Sequence, residues 1–482
     1  MVSVRYQKEW LKDRILACWI GKNIGGTIGG PFEGRRDFLD VKGYTSPKGE
    51  PLPNDDLDLQ LAWFLALKQW GIKNFDVNTL ADSWQMFITP SWAEYGVSKK
   101  NLHLGLLPPL SGEFRNDKWK HSNGAWIRSE VWACLAPGFP NVAIRYAIMD
   151  ACVDHGMGEG TYAEIYTASL QSLAFFETDV RTVVEKALNY IPETSRVSQC
   201  VKLVLSEYDK KTPYREVREK LVESTADLGW FMAPANVGFV VLGLIYGEGD
   251  FKKTMLYTVN CGDDTDCTGG TVGAVMGIMG GTAVIPEDWK EYIGDRIIQK
   301  CINGHYSSRV AKTCTEFTDW IIDTIPELLA INGVDAAVGD ETVYDPEKSV
   351  SFGRGTSSAF FARKPYSFEI SDRRRIKAVV EYDREPVIKA DEPFDITVTL
   401  TNISWDEMIQ CRVDMVIPDG WTADYQRNLC VNRGADQSDT TVTKYHFTVT
   451  PGQQIAAENK LFMVLSGSTF AQPFTIPFTL LG

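Results

Sequence analysis

Two stretches of this sequence concentrate carboxylates where a helix should begin. In NCGDDTDCTGGTVGAVMGIMGG, residues 260–281, Asp263, Asp264 and Asp266 fall within four positions, and in PNDDLDLQLAWF the residues Asn54, Asp55, Asp56 and Asp58 open an apolar-periodic run. A helix dipole favours an anion at its N-terminus, but three crowded acids repel one another unless a cation neutralises them. Helix capping with a solvated acidic turn explains either cluster taken singly. Two clusters of the same form point to a shared cation. The donors are hard oxygens, neither cluster contains histidine, and the chain has no CxxC, so Mg2+, Mn2+ or Ca2+ fits better than zinc.

The elements that must hold these acids in place carry a second signal. Glycines at 269, 273, 277 and 281 are spaced by four, and Gly21, Gly25 and Gly29 repeat the device near the N-terminus. On a helix each set forms a ridge without side chains, against which another backbone can approach closely. Glycine costs a helix about 1 kcal/mol relative to alanine, so two such stripes predict two helices in tight contact, with one another as the natural pairing. Neither stripe is a phosphate loop: GKN lacks the GxxxxGK[ST] spacing, and GGTIGG lacks both GxGxxG and a preceding strand.

Residues from about 5 to 335 read as helical. Leu11, Ile15, Cys18 and Trp19 share one face, and the same period recurs in LQLAWFLALKQW, EIYTASLQSLAFF and DVRTVVEKALNYI. NVGFVVLGLIYG is apolar nearly all round, which predicts a central buried helix too short to span a membrane. The stretch from Gly333 to Phe361 has neither helical nor strand period and is rich in Gly, Ser, Asp and Thr, as a connector would be. From about Ile376 the runs AVVEY, FDITVTLTN, CRVDMVI, TVTKYHFTV, NKLFMVL and FTIPFTL alternate between turn signals, which describes a small antiparallel β-sandwich. The expected organisation is therefore an all-α domain over 1–335, a connector over 336–375 and a β-sandwich over 376–482.

The chain of 482 residues, 44% hydrophobic, is long enough for two cores, and its net charge of −14 argues against a nucleic-acid partner, which would need a Lys/Arg face. No apolar signal segment is seen in MVSVRYQKEW, which is expected to run straight into an amphipathic helix. Ten cysteines without metal-binding spacing read as reduced thiols, giving a cytoplasmic expectation with no membrane partner. Nothing in the sequence sets an oligomeric state.

GKNIGGTIGGPFEG, PNDD, SNGAWIRSEVWACLAPG, DACVDHG and CGDDTDCTGGTVGAVMG, in this order, resemble the ADP-ribosylglycohydrolase superfamily, typified by dinitrogenase reductase-activating glycohydrolase. The resemblance covers about 1–335 and implies an all-α domain with a binuclear Mg2+ or Mn2+ centre between two Asp-rich motifs. It places metal ligands at Asn54, Asp55 and Asp56 and at Asp264, Asp266 and Cys267, a substrate-side glutamate at Glu33, a ribose-side loop at Asn123 and Gly124, and a ligand-side histidine at His155. By the same resemblance Glu33, Asp55, Asp56 and Asp264 carry the catalysis. Asn54 and Cys267 stand where the family has hydroxyl ligands. An amide oxygen can still bind a hard cation, whereas a thiol binds Mg2+ poorly, so one of two metals is expected to be weak, absent or of a different kind. Arg128, Glu130 and Asp154 flank these motifs and read as structural ion pairs. A nucleophilic role for Cys267 lacks an assignable His or Asn partner.

The C-terminal part, with TNIS and IPDGW, resembles the immunoglobulin-like accessory domains of bacterial glycosidases. The resemblance of residues 1–335 implies a metal-dependent hydrolase of an N- or O-glycosidic bond to ADP-ribose or a related ribofuranosyl sugar, free or protein-linked. A glycoside hydrolase acting on a carbohydrate furanoside or pentoside is the alternative enzyme. A family member that binds without catalysis is the alternative outside enzymes.

Overall fold

The computed structural model describes residues 2–404, 406, 408–433, 442–468 and 470–482, and the chain forms two compact units. The first comprises residues up to Glu94 with Asp117–Ala151 and Met157–Ala362. The second comprises Tyr95–Asn116, Cys152–Gly156 and Arg363–Gly482.

The first unit is mainly helical. In chain order, the elements that matter for the site are β1 (Val2–Gln7), α1 (Lys8–Gly29), α2 (Asp55–Trp70), α3 (Glu159–Ala174), α4 (Ala233–Tyr246), α5 (Thr265–Gly280), α6 (Cys314–Ile331) and β2 (Val334–Gly339). The N-terminal helix begins at Lys8 rather than near residue 5. VSVRYQ turns Val4 and Tyr6 into the core and pairs in parallel with β2, a long-range partner that overrides the local helical reading. The 336–375 range, expected as a connector, contains most of β2, two short helices and a strand of the second unit.

Helices α1 and α5 lie in backbone contact along their glycine stripes. A Cβ on Gly21 would stand 2.1 Å from the Gly273 carbonyl oxygen, one on Gly29 would stand 2.2 Å from that of Thr265, and one on Gly277 would stand 2.3 Å from that of Ala17. Gly281 departs from the expected stripe: with φ +70° it ends α5 as its C-cap instead of continuing the ridge. The 265–284 stretch is apolar and long enough to cross a membrane by composition, yet 72% of that window is buried inside the protein. The apolar α4 is buried over nearly its whole length, as its all-round hydrophobicity predicts.

In the second unit the strands are β3 (Ser367–Ser371), β4 (Ile376–Tyr382), β5 (Phe394–Asn402), β6 (Met408–Val416), β7 (Thr422–Asp424), β8 (Asn428–Asn432), β9 (Val442–Thr450), β10 (Glu458–Ser466) and β11 (Phe474–Leu481). They form two antiparallel sheets ordered β3-β4-β5-β9-β7 and β11-β10-β6-β8. Period-2 alternation turns Val380, Val398, Val413 and Met463 into one core, the packing of a sandwich. Thr441, the first residue of the run TVTKYHFTV, lies outside the described residues. Leu106, Leu110 and Phe114, which read as part of the helical stretch, join this same core.

Candidate metal centre

Asn54 caps α2. Its Oδ1 accepts the Asp56 backbone N–H at 2.8 Å, and its side chain fills a gap left by Gly26, whose Cβ would lie 2.3 Å from Asn54 Nδ2. The amide expected as a ligand is thus oriented by helix-capping chemistry. Asp56, the second residue of α2, is fully buried, and its Oδ1 accepts the Cys267 thiol at 3.3 Å. Asp58 is also buried and secures the loop before α6: its Oδ2 accepts backbone N–H groups of Lys300 at 2.5 Å and Cys301 at 2.6 Å.

The second cluster sits at the start of α5. Gly262 and Asp263 both have positive φ, +78° and +69°, which turns the chain sharply into the helix. Asp263 is directed away from a ligand role by its own bonds. Its Oδ1 accepts the Phe231 N–H at 3.0 Å and its Oδ2 accepts Asn236 Nδ2 at 3.0 Å. Asp264 and Asp266 are therefore the members of the cluster left to act as ligands. Asp264 Oδ2 accepts Asn123 Nδ2 at 2.7 Å, while Asp264 Oδ1 and Asp266 Oδ1 are buried without a hydrogen-bond partner among the described residues.

The two clusters converge. Carboxylate oxygens of Glu33, Asp264 and Asp266 lie within 4.8 Å of one another, and ligand atoms of Asp56, Asp266 and Cys267 do the same. Asp55 belongs to the same field, because its charge, with that of Asp266, adds to the effect of burial in pushing the Glu33 carboxyl up to about 7 against the opposing Lys300. Burial, and then the neighbouring Asp266, likewise raises Asp264. Burial and the surrounding aspartates raise the Cys267 thiol well above its usual range, which holds it protonated and unsuited to nucleophilic attack. Orphaned buried carboxylate oxygens in a cluster of like charge are what a hard divalent cation would complete, so the donor set fits Mg2+, Mn2+ or Ca2+.

The ribose-side loop is committed internally. Asn123 Oδ1 accepts Trp126 Nε1 at 3.0 Å while its Nδ2 holds Asp264, and the Gly124 carbonyl accepts Arg128 Nη1. Arg128 pairs with Asp150 at 2.8 Å, a fully buried ion pair. His155 lies in the second unit, buried, with Nδ1 2.8 Å from Asp154 Oδ1.

Sequence reasoning missed Lys22. This fully buried lysine of α1 donates to Ile127 O at 2.6 Å and to Glu130 Oε1 at 3.0 Å, and its Nζ lies 3.4 Å from Asp56 Oδ2. Burial alone would lower its ammonium, but Glu130 and Asp56 outweigh burial and hold it charged. Gln60 and Gln171 complete the cluster by donating to Glu130 Oε2 at 2.9 Å and Oε1 at 3.0 Å. A lysine within an otherwise apolar helix face was the available signal, since lysine is almost never fully buried unless paired.

A model of the ADP-ribosylglycohydrolase family matches residues 7–318, which contain every residue of this centre. No curated protein matches the chain.

Proposed function

The chain belongs to the ADP-ribosylglycohydrolase family, and from that premise we propose that it is a divalent-cation-dependent hydrolase of an N- or O-glycosidic bond to ADP-ribose or a related ribofuranosyl sugar. The observation that carries this reading is the convergence of Glu33, Asp264 and Asp266, two of them presenting buried oxygens without hydrogen-bond partners among the described residues. Asp264 and Asp266 at the head of α5 are the residues that would hold the cation, with Asp55 and Asp56 at the head of α2 adding to the acidic field around it. When bound, it would supply Lewis-acid attraction for vicinal sugar hydroxyls and so fix the position of the anomeric carbon.

The rest of the chemistry falls to the chain. Glu33 is the exposed member of its group, at the end of the turn that follows α1, and faces the solvent side from which substrate must arrive. Its carboxylate takes the proton of the attacking water as the oxygen bonds to the anomeric carbon; the glycosidic bond breaks with its electron pair going to the acceptor, which takes a proton from solvent, and Glu33 returns its own proton to solvent. Positive charge on the sugar in this oxocarbenium-like transition state is stabilised by the same carboxylate. Asn123 keeps Asp264 in place throughout, and Asp58 keeps the Lys300 loop closed beside Glu33.

The β-sandwich of the second unit favours a second reading, in which the same centre cleaves a carbohydrate furanoside. One screen separates the two: ADP-ribosylated peptides, ADP-ribose derivatives, nucleosides and aryl furanosides, each with Mg2+ or Mn2+. Cation-dependent release from an ADP-ribosyl or ribosyl substrate is expected, with Glu33→Gln about 100-fold or more slower, the scale of one general acid–base group. Release from aryl furanosides alone would favour the second reading. Metal-loaded protein inert in every arm would point to a binding protein.

A further inference from the structure

The two halves of the centre are not equivalent in counter-charge. Asp56 Oδ1 accepts the Cys267 thiol, and Asp56 Oδ2, without a hydrogen bond among the described residues, faces the Lys22 ammonium at 3.4 Å as a buried ion pair. Asp264 Oδ1 and Asp266 Oδ1, each on a residue more than nine-tenths buried, have no hydrogen-bond partner among the described residues. Lys22 is held in place: its Nζ donates to the Ile127 carbonyl and to Glu130 and pairs with Asp56, and its stem lies along α5 where Gly270 leaves room, a Cβ there standing 3.4 Å from Lys22 Cγ. Gln60, Gln171 and Thr271 also approach Glu130, so the carboxylate that holds Lys22 is itself held from three elements.

We propose that the Lys22 ammonium occupies, from within the chain, the cation position beside Asp56, so that the centre takes up one divalent cation, at Glu33, Asp264 and Asp266, rather than two. A divalent ion on Asp56 Oδ2 would sit within a few ångströms of a fixed, unscreened ammonium, and like charges at that distance in a dry interior repel strongly. Cys267 reinforces the choice, since its sulfur is directed at Asp56 Oδ1 at 3.3 Å and, being soft, is a poor ligand for a hard cation. Lys22 is thus a charge-compensating and positioning residue. It keeps Asp56 anionic and fixed at the head of α2 without a second exchangeable metal.

The inference rests on the divalent-cation reading proposed above, and Mn2+ binding to the full chain tests the two separately. Equilibrium dialysis is expected to give one tight equivalent, with the six-line spectrum of an isolated ion in electron paramagnetic resonance. Asp264→Asn is expected to lose that equivalent and Asp56→Asn to keep it within about threefold in affinity. In the charge-balanced double variant Lys22→Met with Glu130→Gln, a second, weaker equivalent and an exchange-coupled spectrum are expected. Two equivalents or a coupled spectrum in the wild type overturn the inference, and that measurement needs no variant to fold. A folded double variant still binding one ion also overturns it, by showing that Lys22 is not what excludes the second. No binding at all in the wild type sinks the divalent-cation reading itself.

Discussion

Gly25 on α1 and Gly269 on α5 approach so closely that a Cβ on Gly25 would lie 2.1 Å from the Gly269 carbonyl carbon. The obstacle is backbone, so it cannot yield without parting the helices. Those helices carry Lys22 on one side and Asp264 and Asp266 on the other, so the glycine contact fixes the spacing of the centre. Gly25→Ala is therefore expected to destabilise the fold by about 3 kcal/mol or more, the upper end of overpacking, despite alanine's helix preference of about 1 kcal/mol. Gly304, with nothing within 4 Å of its would-be Cβ and no positive φ, is the control. There the same change should stay within about 0.5 kcal/mol. Urea unfolding of the two variants decides, and equal midpoints would mean that the helices separate freely.

Filling the centre should stabilise the fold. A cation that binds the native chain alone contributes RT ln(1 + [L]/Kd), about 2.7 kcal/mol at a hundredfold excess over Kd. The melting temperature is expected to rise with Mg2+ or Mn2+ in the wild type and to stay put in Asp264→Asn, whose fold should be intact because the lost charge sat in a repulsive cluster. A wild type whose melting ignores divalent cations would count against the site.

Asn123 separates two roles by kinetics. Its Nδ2 holds Asp264 Oδ2 at 2.7 Å and its Oδ1 holds Trp126. Asn123→Ala is expected to weaken cation affinity 10–100-fold, the usual cost of removing a group that orients a ligand, and to lower kcat at subsaturating metal. Excess Mg2+ should restore part of that loss. If Asn123 instead served the substrate directly, KM would rise while cation affinity, read by calorimetry, stayed the same.

What the sequence disclosed and what it hid divide along the range of the interactions. Helix starts at Asp55 and Thr265 are legible because capping is local: Asn54 meets an N–H two residues on, and the acids of each cluster are neighbours. The glycine stripes are legible because a period of four has few other uses, and β4, β5, β6, β9, β10 and β11 because one face is buried, whereas the short β7 and β8 carry no such alternation. The partners across the chain are not. Lys22 finds Glu130 across 108 positions and Asn123 finds Asp264 across 141. Nothing near any of these residues encodes the meeting. β1 is hidden for the same reason, since VSVRYQ becomes a strand only against Val334–Gly339. Leu106, Leu110 and Phe114 carry a helical pattern that is silent on which of two cores receives them.

Acid titration offers a check remote from the centre. Glu207 accepts hydrogen bonds from Lys210 at 2.8 Å, from Lys220 and from Thr212 Oγ1 at 2.7 Å, tying the end of the Arg196–Asp209 helix to the Tyr214–Ser224 helix. The bonds to Lys210, Lys220 and Thr212 lower its carboxyl to about 2. A carboxyl lowered by folding stabilises the native state above its unfolded value, about 4.3 for glutamate, and loses that contribution as pH falls towards the folded value. The gap in urea midpoint between wild type and Glu207→Gln should therefore be constant from pH 7 to about 5 and narrow steadily below about 4.3. Because the pairs are with lysines at the surface, the gap at pH 7 should also shrink in about 1 M salt, where the Debye length is near 3 Å. A gap that widened on acidification would mean that the Glu207 charge opposes the native state, and the helix junction would then owe its stability to packing alone.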